Sequence, residues 1–320
     1  MKNIEYISDL FYKKCFSYNR LCVLKTLKKD YKCLLANDRF YYSTLSINGK
    51  NVPCLKIESV YDENSIMQKM GIKVQMNTWN GNADFINQFL NNDCLVLQTI
   101  DNFYFPKHSW LFNKSHSLHG FLIYDYDASR QTYGILDPWG FHTSTPLLIE
   151  VSVEDMCGAI TKSCQSIPGE IVSTAYCLDE AEVSADLSFS NDYENFFKKN
   201  YDQQLICDGL ALFKDSMSEY IRNIYVNYSD FYSQDEYKLT FRRLIEKRKS
   251  YSYCLSQIFA DDVLNQLSEA VEKRFVSLTS LGLDMFKKKR GANFIQNSFD
   301  LVNEVAELEK QINLRITKKL

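Results

Sequence analysis

The sequence predicts an α+β fold, an antiparallel sheet with short helices up to about residue 185 followed by a C-terminal α-helical region. Three observations carry that expectation. Apolar runs bounded by turn signals fill the first half, among them "DCLVLQTIDNFYF" and the pair "GFLIYDYD" and "TYGILD". Four of the five prolines, Pro53, Pro106, Pro138 and Pro146, lie in that half. Later, "FIQNSFDLVNEVAELEKQINLRI" sets Phe294, Phe299, Val302, Val305 and Leu308 at helical spacing. The expected domains are residues 1–185 and 190–320, joined by the small, polar stretch "EAEVSADLSFSND".

The elements follow in order. "KKCFSYNRLCVLKTLKKD" predicts a helix opening at Cys15 and running to about Lys29. Tyr18, Leu21, Cys22 and Val23 or Thr26 would turn inward from it. "RFYYSTLSI" and "VPCLKIESVY" predict strands around an Asn48-Gly49 turn. "ENSIMQKMGI" and "ADFINQFLNN" read as short helices, and "SVEDMCGAITKSC" as a helix opened by a Ser-x-x-Asp cap. "NDYENFFKKNYDQQLICDGLALFKDSMSEYIRNIYVNY" and stretches near 230–260, 261–290 and 293–318 read as a helical bundle.

Composition narrows the function. The chain has 320 residues, 45% of them hydrophobic, and a net charge of −3. Such a balance gives no drive toward nucleic acid or an anionic membrane. "MKNIEYISDLFYKKC" lacks the apolar core of a secretory signal, and no apolar run reaches the ~18–20 residues of a membrane span, so a cytoplasmic protein is expected. The ten cysteines form no CxxC pair. Neither a zinc ribbon nor a redox pair is expected, and most thiols should be small buried groups in a reducing compartment.

The stretch "HSLHGFLIYDYDASRQTYGILDPWG" reads as a β-hairpin with polar ends. With the turn centred near Ala128, His119 and Asp137 fall opposite each other, with Cβ atoms ~4.5–5.5 Å apart. That is the base and orienting carboxylate of a nucleophilic site, with His116 as the rival histidine. A His-x-x-His metal pair lacks a third ligand, so no metal is expected. The missing nucleophile is a thiol. Cys15 would sit at a helix start after Lys13 and Lys14, where thiolate is favoured, and Cys22, two turns inside, is the alternative. The backbone N–H of Cys15, with Asn19 or Gln98, would hold an oxyanion. Asp101 would bind an amine or cap a loop.

The order Cys, distant strand-borne His, then Asp is the papain-type arrangement. "KKCFSYNRLCVLKTL", "YKCLLANDRFYYS", "LQTIDNFYFPKHSWLFNKSHSLHGFLIYDYD" and "GILDP" resemble the papain-fold acyltransferases. That family is typified by the N-terminal domain of butirosin biosynthesis protein H and includes related thiotemplate amide-forming enzymes of the closthioamide type. The resemblance implies a papain-like (cysteine protease-like) catalytic domain over 1–185 and a helical bundle or lid over 190–320. It implies Cys15 as nucleophile, His119 as base and Asp137 as orienting carboxylate. It further implies a carrier-bound phosphopantetheine thioester as acyl donor, a small amine as acceptor, and no cofactor of the chain's own. Asp125 departs from the glycine that many relatives carry there.

An acidic acyl or peptidyl carrier protein calls for a basic docking face. "FRRLIEKRKSY" and "MFKKKRG" supply Arg242, Arg243, Lys288 and Lys289. The helical half could instead serve a homodimer or cover substrate. The competing readings are a cytosolic papain-like cysteine peptidase or isopeptidase, and a catalytically dead scaffold.

Overall fold

The computed structural model describes residues 3–8, 15–47, 49–79, 81, 83–107, 111–138, 146–179, 192–227, 233–288 and 293–319. It is α+β with antiparallel sheets and divides into two compact units, Met1–Leu34 with Tyr61–Asn191, and Leu35–Val60 with Asp192–Leu320. Residues 180–191 of the expected linker lie outside the described residues.

The first unit holds a six-stranded sheet. Its strands are β3 (Ile72–Thr78), β4 (Leu95–Asp101), β5 (Leu118–Asp127), β6 (Thr132–Asp137), β7 (Leu147–Ser152) and β8 (Val172–Leu178), in the spatial order β3-β8-β4-β5-β6-β7. Every pairing is antiparallel. Alternation along the strands sends Val96, Ile100, Phe121, Ile123, Ile135 and Ala175 into one core. Ile86 and Leu90 of α4 (Asp84–Asn91) and Met156, Ala159 and Ile160 of α5 (Val153–Ser166) complete that core. The Ser152 hydroxyl accepts from the Asp155 N–H and starts α5 as its cap predicts.

Helix α1 (Cys15–Thr26) packs where Gly120 leaves room. A Cβ at Gly120 would stand 2.6 Å from the Phe16 ring, closer than carbon atoms approach. Hydrogen at that position therefore lets α1 lie directly on β5.

The second unit joins the hairpin β1 (Asp38–Ile47) and β2 (Lys50–Ser59) to helices α6 (Tyr193–Asn200), α7 (Gln203–Asn227), α8 (Gln234–Ile258), α9 (Asp262–Lys288) and α10 (Phe294–Lys319). This corrects the expected boundary, which put the hairpin in the first domain. The reason is local: a Cβ at Gly209 of α7 would stand 2.7 Å from the Tyr42 carbonyl oxygen, so the helix lies on the hairpin's backbone.

Three further differences have physical causes. Strands β3, β7 and β8 carry weak periodicity and were not anticipated. The long helical stretch after residue 191 breaks at Tyr201-Asp202, where the Asp202 carboxylate accepts from the Leu205 N–H and starts α7 afresh. Cys94 and Cys177 form a disulfide, and the other eight cysteines are free, so the expectation of unbonded thiols fails at one pair. Leu95 pairs with Tyr176, so the next rung sets Cys94 against Cys177 with Cα atoms 4.5 Å apart, within bridging range. No helix among the described residues is long and apolar enough to cross a membrane.

Candidate active site

Cys15 is the first described residue of α1. One turn further along the same helix face, the Asn19 amide donates to the Gly120 carbonyl at 2.9 Å. The latch fixes α1 against β5 beside His119, the residue before Gly120. The Cys15 thiol is near enough to the His119 ring to help raise its pKa.

The other face of that ring meets Asp137. His119 Nε2 lies 2.9 Å from Asp137 Oδ1, with both side chains almost fully buried. A carboxylate only accepts, so Nε2 carries the hydrogen and Nδ1 is left for the thiol. Burial opposes protonation of His119, but the hydrogen bonds and charges of Asp137 and Cys15 outweigh it, and its pKa is pushed up to about 9. At neutral pH the imidazolium is therefore favoured beside the thiol.

The register differs from the expected one. Near the turn Asp127 pairs with Thr132 and Asp125 with Gly134, but beyond Tyr124 the pairing is Ile123 with Ile135 and Leu122 with Leu136. Tyr124 is the extra residue of a β-bulge. The next rung sets Phe121, not His119, opposite Asp137. His119 and Asp137 are thus diagonal neighbours on one face, still within reach of long side chains. Without the bulge, Leu122 would face Asp137 and His119 would point to the other side of the sheet.

The rivals have different surroundings. Cys22 is fully buried, and burial pushes its thiol up to about 12. His116 is held elsewhere, its Nδ1 lying 2.6 Å from Asp101 Oδ2. Asp101 also accepts from the backbone N–H groups of Phe103 and Ser117, so it organises the loop between β4 and β5.

Neither proposed side-chain oxyanion donor is free. Asn19 spends its amide on Gly120, and its Oδ1, an acceptor, has no hydrogen-bond partner. Gln98 donates to the Thr99 carbonyl and accepts from the Ser173 hydroxyl, so it bridges β4 and β8. Both are latches in the frame, which a sequence cannot distinguish from donors in a cleft.

The basic runs are divided. Arg242 is 71% exposed and pairs with Glu246 at 2.6 Å, and Arg243 is exposed. Arg248, in the same run, is fully buried. Lys289 and the Lys288 side chain lie outside the described residues. Among the described residues, no group of three His, Cys, Asp or Glu side chains is placed to hold a metal ion.

The sequence reading missed the Tyr124 bulge and the Asn19 latch. The spacing Cys-x-x-x-Asn, with Asn one turn below Cys, was the available signal for the latch. No protein-family model matches the chain, and no curated protein matches it either.

Proposed function

We propose that the chain is a cysteine-dependent acyltransferase of papain-like fold that forms an amide between a carrier-bound acyl chain and an amine in natural-product biosynthesis, in the cytoplasm. A Cys15 thiol beside a His119 that is itself hydrogen-bonded to Asp137 at 2.9 Å carries this reading.

The Cys15 thiolate attacks the carbonyl of a phosphopantetheine thioester. The new carbon–sulfur bond forms, the bond to pantetheine sulfur breaks, and the leaving thiolate takes the His119 proton. The reaction exchanges one thioester for another and is nearly isoenergetic. An amine then attacks the acyl-enzyme, neutral His119 accepts its proton, and Cys15 is released. The Cys15 backbone N–H stabilises the oxyanion in both steps. Asp137 holds the ring in the tautomer that faces Nδ1 toward sulfur.

Burial supports transfer over hydrolysis. Cys15 is 9% exposed and His119 2% exposed, so bulk water competes poorly with a bound amine. The phosphopantetheine belongs to an acyl or peptidyl carrier protein, and the chain itself calls for no further cofactor. Arg242 and Arg243 are the proposed carrier contacts.

Intact mass spectrometry after incubation with an acyl-pantetheine thioester tests the reading. An adduct is expected on the wild-type protein and none on Cys15→Ala, and an added primary amine should discharge it as the amide. Absence of a wild-type adduct overturns the proposal. An adduct that discharges to water at the same rate with or without amine favours the peptidase or isopeptidase reading.

A further inference from the structure

Both described histidines hold a carboxylate, and the two pairs are built differently. His119 is buried against Asp137, whereas the His116 side chain is 57% exposed over an Asp101 that is only 1% exposed. The Asp101 carboxylate is fixed from three sides. Its Oδ1 accepts from the N–H groups of Phe103 and Ser117, both at 3.1 Å, and its Oδ2 meets His116 Nδ1 at 2.6 Å. The Phe103 ring stacks on the imidazole with centroids 4.2 Å apart and planes 10° apart, and Tyr104 closes one edge. The carboxylate can only accept, so Nδ1 carries the hydrogen and the Nε2 lone pair faces outward. A histidine held in one tautomer by a buried carboxylate, with its second nitrogen open, is arranged as a general base.

Its place on the sheet ties it to the candidate site. Ile100 pairs with His119 and Asp101 with Leu118, so His119 and Asp101 stand on successive rungs of the β4–β5 ladder and project from opposite faces, Asp101 from the face that Gly120 turns toward Phe16 of α1. Successive rungs are about 3.4 Å apart along the strand.

We propose that His116, held by Asp101, is a second base that removes the surplus proton of an ammonium acceptor. This rests on the acyl-transfer reading above and adds what kind of amine the site takes. An alkylammonium carries three N–H protons and the product amide keeps one. The first must leave before attack, because it occupies the lone pair. The second leaves as the C–N bond forms and the bond to Cys15 sulfur breaks, and it goes to His119, which restores the thiolate–imidazolium pair. His119 holds one proton and has no room for the other. His116 Nε2 takes that first proton and, being exposed, passes it to solvent. Ammonium plus thioester thus gives amide, free thiol and one proton, and no other reactant is needed.

The test separates the two half-reactions. Wild type, His116→Gln and His116→Phe are loaded on Cys15 with an acyl-pantetheine thioester, freed of excess donor, and mixed at neutral pH with propylamine or trifluoroethylamine. Propylamine is then almost wholly ammonium, and trifluoroethylamine almost wholly free base. Loading, in which His116 takes no part, should be unchanged, which also reports an intact site. Transfer to propylamine should fall about 10²-fold, the usual scale for losing a general base, while transfer to trifluoroethylamine stays near wild type. Equal losses with both amines, or no loss, overturn the proposal. A second measurement needs no variant. Relative to a model thioester in solution, wild type should favour propylamine over trifluoroethylamine by at least about tenfold. An unchanged ratio overturns the proposal. Failure of wild type to load Cys15 instead removes the acyl-transfer reading, and this inference with it.

Discussion

The first unit buries His119 against Asp137, and the second buries Arg248 against Glu309. Arg248 Nε lies 2.8 Å from Glu309 Oε1, and the arginine is fully enclosed. Its guanidinium sits 4.8 Å from the Tyr251 ring centroid and reaches Ser252 and Ser268, while Glu309 also accepts from the Tyr42 hydroxyl. These partners join α8, α9, α10 and β1 at one point. Arginine keeps its charge at every accessible pH, so this pair ties elements together and does no proton chemistry. The His119 pair has a titratable member and a thiol near it. Burial of charge alone therefore does not mark a site. A group that can change protonation beside a nucleophile does.

Removing one partner should separate the two roles. Arg248→Met leaves Glu309 buried without its counter-charge, and a loss of about 3–5 kcal/mol is expected in denaturant unfolding. Cys15 loading per folded molecule should be unchanged. The double variant Arg248→Met, Glu309→Met should recover most of that loss, since a buried pair replaced by apolar groups is often neutral. An unrecovered loss would make the pair a net stabiliser.

A smaller effect separates the pairs by pH. The folded-state pKa of His119 is raised to about 9, from a value near 6.5 in an unfolded chain. Its contribution to stability is thus fully present below about pH 6.5 and is lost as pH rises toward 9. Stability of wild type relative to His119→Gln should fall across that window, and the difference cancels titrations common to both proteins. The same difference taken for the double variant Arg248→Met, Glu309→Met, which leaves no unpaired buried carboxyl, should be flat there. A flat His119 difference would mean that its charge is not held by Asp137 and Cys15.

The sequence was most informative where chemistry is local. A cysteine at a helix start and the Asp127 turn, whose carboxylate accepts from the Ser129 and Arg130 N–H groups, are short-range signals. The sharing of one face by His119 and Asp137 was anticipated, but through a register that the structure does not have. The turn is centred between Ser129 and Arg130 rather than at Ala128, and the bulge at Tyr124 then shifts the pairing by one more residue; neither leaves a pattern in the apolar alternation. The hairpin over 38–59 looked like part of the first domain because nothing local announces that Gly209, 167 positions after Tyr42, lies on its backbone. Arg248 sat unremarked in a basic run for the same reason: its partner Glu309 is 61 residues away. Asn19 and Gln98 had the right chemistry for an oxyanion, and only their partners reveal that they are latches.

The smallest stability effect belongs to the exposed end of the same helix that buries Arg248. Arg242 is 71% exposed, and its pair with Glu246 is an i,i+4 surface bridge, the class worth about 0.3–0.5 kcal/mol. Arg242→Glu, Arg243→Glu should therefore unfold within about 1 kcal/mol of wild type, against the several lost at Arg248 one to two turns further on. The variant should load Cys15 from a free acyl-pantetheine thioester at the wild-type rate, because that small donor needs no docking surface. It should load more slowly from an acylated carrier protein, and the deficit should shrink as salt screens the attraction. Equal rates from both donors would remove these arginines as the carrier contact. A loss with both donors would show that the reversal perturbs the fold instead. The contrast within α8 then becomes quantitative, one arginine for stability and two for encounter.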